Sequence, residues 1–223
     1  MAGASTIPND MVLWLDGTQG ITPDGSGLKC ASWTSLVGGH VISQATSSQQ
    51  PALTTMNGLP CIQTDGVDDY LSNTTFSLAQ PCTWFVVMKA SSVPTGGINQ
   101  AVIDGKPGSP SGRQLIALLG LTPPRYGYAA LTQIAAPTVD TNAHVLSIFF
   151  NNTSSVGYLD GANIVSGTAG NQIQDGLTIG TRGSTGGSAY PGLICEVLAY
   201  ARQLTTAELA AVQTYLRAKW ATT

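Results

Sequence analysis

The chain has 223 residues, of which 43% are hydrophobic and only 9% charged, with a formal net charge of −3. A chain of this length buries a sizeable core as one domain, and its apolar content excludes a disordered protein. Its nine Lys and Arg are scattered along the sequence, so the basic stripe that binds nucleic acid is absent, and no window approaches the ~18 apolar residues of a membrane span.

Residues 1–10 carry neither the basic n-region nor the apolar h-region of a secretory signal. The protein is therefore expected to be made in a cytoplasm, with 1–10 as an N-terminal arm that orders on docking and 11–223 as a single domain. Period-2 apolar runs rich in β-branched and aromatic residues predict strands at 11–15, 61–64, 83–89, 101–104, 114–119, 144–150, 156–159, 177–180 and 193–200. The runs at 83–88 and 193–198 are apolar at almost every position, the mark of strands covered on both faces. No helical pattern separates the strands, which excludes βαβ units and leaves antiparallel pairing. Asp160-Gly161 predicts a two-residue hairpin leading into Ile164-Val165. Asp65-Gly66, Asp104-Gly105 and Asp175-Gly176 mark further turns, and 91–97 and 106–112 read as Pro/Gly/Ser-rich loops.

One helix is predicted, over about 205–219. Thr205 and Glu208 stand at capping-box spacing, with Leu204 and Leu209 as a hydrophobic staple. Leu209, Val212, Leu216 and Trp220 form one apolar stripe, and Arg217 and Lys219 suit the negative end of the helix dipole. The four cysteines, Cys30, Cys61, Cys82 and Cys195, form no CxxC pair and are expected as buried thiols.

The opening Leu13-Trp14-Leu15-Asp16, the central Asp65-Gly66-Val67-Asp68-Asp69-Tyr70-Leu71, the hairpin Gly157-Tyr158-Leu159-Asp160-Gly161 and the closing 190–200 segment occur in a familiar order, with Leu204-Thr205, Glu208, Tyr215-Leu216 and Lys219-Trp220 in the tail. In that order the chain resembles the laminin-G-like, concanavalin A-like jelly-roll family from about Met11 to Trp220. The resemblance implies an all-β fold: a two-sheet antiparallel jelly-roll sandwich with one C-terminal α-helix. Family members include lectins, glycoside hydrolases, adhesion modules and virion proteins, so the fold leaves function open.

Glycoside hydrolysis needs two carboxylates flanking the scissile bond. The chain has two glutamates, Glu196 and Glu208, the second committed to capping. The adjacent pair Asp68-Asp69, read as strand residues, would point to opposite faces. Glu196 interrupts an apolar strand and is expected as a carboxylate satisfied by backbone or by an Arg such as Arg202. His40 and His144 lack a nucleophile context and read as surface or strand-end residues. The Gly-rich run 180–187 lacks the Lys and helix of a phosphate loop and reads as a flexible loop or ligand rim. No catalytic residue is expected, and the chain is expected not to be an enzyme. No cofactor is expected either, although the resemblance admits a rim calcium, for which Asp16, Asp65, Asp68 and Asp69 supply oxygens. Trp33 and Arg125-Tyr126-Gly127-Tyr128 are the candidates for a sugar platform, whereas Trp14, Trp84 and Trp220 sit in core stripes.

With its sparse charge and no secretion signal, the chain most resembles the bacteriophage virion members of this family. The resemblance implies a non-enzymatic structural or binding module on the exterior of the particle, as capsid decoration, head fibre or tail component. It would work through contacts with other virion proteins and sister subunits in a homo-oligomer. The alternative is a lectin-like adhesion module recognising host glycans.

Overall fold

The computed structural model describes residues 7–109, 111–183 and 188–222. The strands, in chain order, are β1 (Met11–Asp16), β2 (Ile21–Pro23), β3 (Cys30–Thr34), β4 (Val41–Ser43), β5 (Ala52–Met56), β6 (Leu59–Asp65), β7 (Leu71–Leu78), β8 (Cys82–Ala90) and β9 (Gln100–Asp104). They continue as β10 (Leu115–Leu119), β11 (Arg125–Ala129), β12 (Gln133–Thr138), β13 (Ala143–Phe150), β14 (Ser155–Leu159), β15 (Ala162–Gly167), β16 (Gln174–Ile179) and β17 (Pro191–Tyr200), followed by helix α1 (Thr206–Trp220).

An eight-stranded sheet runs β15-β14-β13-β8-β17-β6-β5, with β1 also paired to β17, and a nine-stranded sheet runs β12-β11-β10-β9-β16-β7-β4-β3-β2. Pairing between these strands is antiparallel throughout, so the expected two-sheet jelly-roll sandwich is what forms. Strand β17 is shared: Pro191–Ile194 pair with β6, and Glu196–Tyr200 pair with β1.

The main core lies between the sheets and takes alternate residues of β8 (Cys82, Trp84, Val86, Met88, Ala90). The intervening Phe85 and Val87 join a second apolar cluster with Leu204, Val212, Leu216 and Trp220 of the helix segment. Helix α1 therefore covers the outer face of the eight-stranded sheet, which explains why 83–88 is apolar at nearly every position. The helix begins at the capping box, with Thr205 accepting from the Glu208 backbone and the Glu208 side chain accepting from the Thr205 backbone.

All four cysteines are buried. Asp160 (φ 49°) and Gly161 (φ 91°) both adopt positive φ at the β14–β15 hairpin, as a type I′ turn requires. Of the N-terminal segment, Ile7 packs on the helix-side cluster, Pro8 accepts from the Tyr200 hydroxyl (3.2 Å), and Asp10 pairs with Arg202 (2.6 Å). The rest of that arm, 1–6, lies outside the described residues.

Candidate functional site

The aromatic residues expected as a sugar platform are not at the surface. Trp33, Tyr126 and Tyr128 are fully buried in the inter-sheet core. Trp33 donates its Nε1 to the Asp16 carbonyl (3.1 Å), and the Tyr128 hydroxyl donates to the Tyr158 carbonyl (3.3 Å). Burial pushes the ionisation of Tyr126 and Tyr128 upward. In a two-sheet sandwich the inward face of β11 is core, and that decides against a platform at 125–128.

Glu196 is the hub of a buried network of protein hydrogen bonds. A β-bulge between Ile194 and Glu196 shifts the parity of β17. The bulged Cys195 and, after it, Leu198 and Tyr200 lie in the helix-side cluster while Val197 and Ala199 face the other sheet. The fully buried Glu196 carboxylate accepts from Trp14 Nε1 (2.7 Å), Tyr215 Oη (3.1 Å), Lys219 Nζ (2.8 Å) and Trp220 Nε1 (2.6 Å). Its partner is thus Lys219 and not Arg202, which instead pairs with Glu208 (2.8 Å) and Asp10. Lys219 also reaches Asp16 Oδ2 (2.7 Å), and Asp16 Oδ1 accepts from the Thr18 backbone (2.9 Å), so Asp16 is removed from the candidate metal ligands.

His144 is buried as well, held between Asp160 Oδ2 (2.5 Å) and Asp140 Oδ1 (2.9 Å), and is not a surface histidine. Burial works against its charge, but the hydrogen bonds to Asp160 and Asp140 prevail and raise its pKa above the usual 6.5. His40 packs edge-on against Phe76 at 5.0 Å.

The surface feature with binding chemistry is a groove of about 560 Å³ where three segments meet: the turn after β6, the 92–100 stretch after β8, and the start of β17. Asp65, Ser92, Thr95 and Gln100 supply its polar lining, and Val67 (72% exposed) and Ile98 (58% exposed) present bare apolar side chains. The Gln100 Oε1 atom is buried and has no donor among the described residues. Sequence reading missed Val67, Ile98 and Gln100, and no local signal marks them.

At one end of this groove Asp68 and Asp69 lie in the turn between β6 and β7, not in a strand, so the opposite-faces expectation fails. Carboxylate oxygens of Asp65, Asp68 and Asp69 all lie within 4.8 Å of one another. Asp65 Oδ1 accepts from the backbone of Val67 (2.8 Å), and Asp69 Oδ2 accepts from the backbone of Asp65 (3.1 Å). Asp69 is only 5% exposed, and its Oδ1 is buried with no donor among the described residues. Burial, and then the neighbouring charge of Asp65, push the Asp69 pKa up to about 6. A hard, oxygen-seeking cation such as calcium fits this donor set, with backbone and water oxygens completing its shell. Of the Gly-rich 180–187 run, 180–183 is described and 184–187 lies outside the described residues.

No protein-family model matches the chain, and no curated protein matches it. Its fold is shared by solved structures. A Trypanosoma rangeli sialidase in complex with 2,3-difluorosialic acid superposes with a TM-score of 0.67 at 13% identity, over 94% of this chain and 34% of the sialidase. Domain 4 of AbnA, a GH43 extracellular arabinanase from Geobacillus stearothermophilus, in complex with arabinotriose, superposes at 0.53 with 15% identity, over 92% of this chain and 98% of that domain. The CBM40 of a Ruminococcus gnavus IT-sialidase bound to α2,3-sialyllactose superposes at 0.50 with 13% identity, over 69% of this chain and 95% of the module. Such identities show the fold alone, and the chain spans about a third of the sialidase chains it resembles. They do correct one expectation. The same sandwich lies within chains that are enzymes, so the expectation that the chain is not an enzyme is withdrawn. The expected virion family finds no counterpart among these neighbours.

Proposed function

We propose that this β-sandwich is a carbohydrate-binding module that takes a glycan in the groove between 65–67 and 92–100. The observation that carries the reading is the groove's chemistry. Gln100 Oε1, a buried acceptor with no donor among the described residues, and the Asp65 carboxylate stand beside the exposed apolar side chains of Val67 and Ile98. A sugar offers the complement: hydroxyl donors for the acceptors and C–H faces for the apolar pair. Two fold neighbours that are covered over almost their full length carry bound saccharides, which supports the same reading.

Binding of the purified chain to a glycan array, followed by calorimetry on each hit, tests it. Gln100→Ala is expected to weaken a hit by about 2- to 12-fold, the worth of one neutral hydrogen bond of ~0.5–1.5 kcal/mol. Val67→Ser with Ile98→Ser is expected to weaken it further. A dark array, or hits indifferent to these changes, overturns the groove as a glycan site.

A second reading, a contact module on the exterior of a phage particle, draws on the 9% charged composition and on exposed apolar residues away from the groove, such as Leu28 and Val41. It predicts co-sedimentation with particles and a stable homo-oligomer by light scattering, neither of which the glycan reading requires.

A further inference from the structure

A second hollow, of about 170 Å³, lies outside the groove and is lined by Arg113, Ala129, Leu131, Gln172 and Arg182. Two guanidinium groups thus share one small space. The Arg113 side chain is 11% exposed, and its Nε lies 3.2 Å from Oδ1 of the buried Asp104. The other Asp104 oxygen accepts from the Gly183 backbone (3.0 Å). Arg182 is half-buried, forms no ion pair among the described residues, and its Nε is buried with no acceptor. Two cations therefore face one carboxylate already engaged by Arg113, which leaves one positive charge uncompensated.

Like charges brought together in a partly desolvated space repel more strongly than in water. The mutual effect shows in Arg113, whose pKa is lowered by burial and by Arg182 against the pull of Asp104. Such an arrangement lowers its energy by taking up an anion. Guanidinium groups suit carboxylates and phosphates, which they hold through paired N–H···O bonds. The remaining wall is made by Ala129, Leu131 and the polar Gln172. Leu131 lies in the β11–β12 turn at φ 112°, a conformation L residues rarely adopt, and is 70% exposed beside the hollow.

We infer that Arg113 and Arg182 form an anion-binding site for a small oxyanion, either the carboxylate of an acidic sugar or a free inorganic anion, with Leu131 and Ala129 against the ligand's apolar flank. The site does not rest on the groove, and stands whether or not the groove takes a glycan.

Thermal shift and calorimetry of the whole chain with sodium glucuronate, sodium phosphate and galactose, at matched ionic strength set with sodium chloride, test it. Both anions are expected to raise the melting temperature saturably and galactose is not. Affinity is expected to fall as salt increases. Tighter binding of glucuronate assigns the site to acidic sugars, and tighter binding of phosphate to inorganic oxyanions. Arg182→Gln is expected to weaken either anion at least tenfold without lowering the ligand-free melting temperature, because the lost guanidinium has no protein partner among the described residues. Arg182→Lys keeps the charge but not the fork, and is expected to weaken glucuronate severalfold. The absence of a saturable shift with either anion, or unchanged binding in Arg182→Gln, overturns the site.

Discussion

Replacing Lys219 with Met tests whether the Glu196 hub fastens helix α1 to the sandwich. The Lys219 ammonium lies 2.8 Å from Glu196 Oε2 and 2.7 Å from Asp16 Oδ2, and the exposures of the two acids are 0% and 3%. Removing one partner of a buried ion pair costs about 3–5 kcal/mol. The low end applies here, for two reasons. Lys219 itself is 17% exposed. Glu196 also keeps its indole donors from Trp14 and Trp220, while Asp16 keeps the Thr18 backbone. The expected loss is about 3 kcal/mol by urea unfolding, or roughly 6–12 °C in melting temperature for a domain of this size. Burial works against the Lys219 charge, but hydrogen bonds to Asp16 and Glu196 outweigh it and raise its pKa above the usual 10.5. The stabilisation is therefore fully present below pH 10.5 and is lost as pH rises through the folded-state value, so the gap between wild type and variant holds across neutral pH and closes in strong alkali. Glu196→Gln alone costs about 1–3 kcal/mol, because its amide presents N–H against N–H donors. The double variant costs less than the sum of the two by at least ~0.5 kcal/mol. A loss below ~1 kcal/mol for Lys219→Met, or strict additivity, refutes the hub.

Three further outcomes follow from the same structure. His144, with its pKa raised between Asp140 and Asp160, contributes stability that is complete below about pH 6.5 and fades as pH rises through its folded value. The gap in urea midpoint between wild type and His144→Gln should therefore narrow from pH 6 to pH 9, and a gap that widens refutes the assignment. Calcium at about 100 times its Kd should stabilise the chain by ~2.7 kcal/mol, roughly 5–10 °C, reversibly with chelator. Asp69→Asn should abolish that gain, and a chelator-insensitive melt removes the metal from the Asp65-Asp68-Asp69 turn. Burial pushes the thiols of Cys30 and Cys82 up to about 12, so neither should label with a thiol reagent in the native chain, and fast labelling at either would show the core open.

The strands that sequence reading marked most clearly are those whose neighbours on both faces are protein. In β8, β10, β13 and β17 nearly every side chain is buried, so apolar content and β-branching mark them directly. Most of those it omitted are short or half-wet, the exception being β11, whose Tyr126 and Tyr128 it took for a sugar platform. Strands β2 and β4 have three residues each, and β7 reads Leu-Ser-Asn-Thr-Thr-Phe-Ser-Leu with several polar side chains turned outward. One omission did carry a signal. Asn57 (φ 52°) and Gly58 (φ 82°) form the two-residue turn between β5 and β6, a dipeptide that ranks with Asp160-Gly161 as a hairpin mark.

The candidate site was legible only where it is local. Asp65, Asp68 and Asp69 fall within one five-residue turn, so their convergence is a property of that turn. Val67 and Ile98 share a groove for another reason. Strand β17 pairs with β6 through Pro191↔Asp65 and with β8 through Gly192↔Ala90, drawing the segment after each strand to one end of the sheet. The aromatic candidates failed from the same cause in reverse. Period-2 alternation states that Trp33 and Tyr128 lie on one face of their strands but not which face is covered. A Trp buried on the covered face must also find a protein acceptor for its N–H. For Trp33 that acceptor is the carbonyl of Asp16, seventeen residues away and brought there by the sandwich itself.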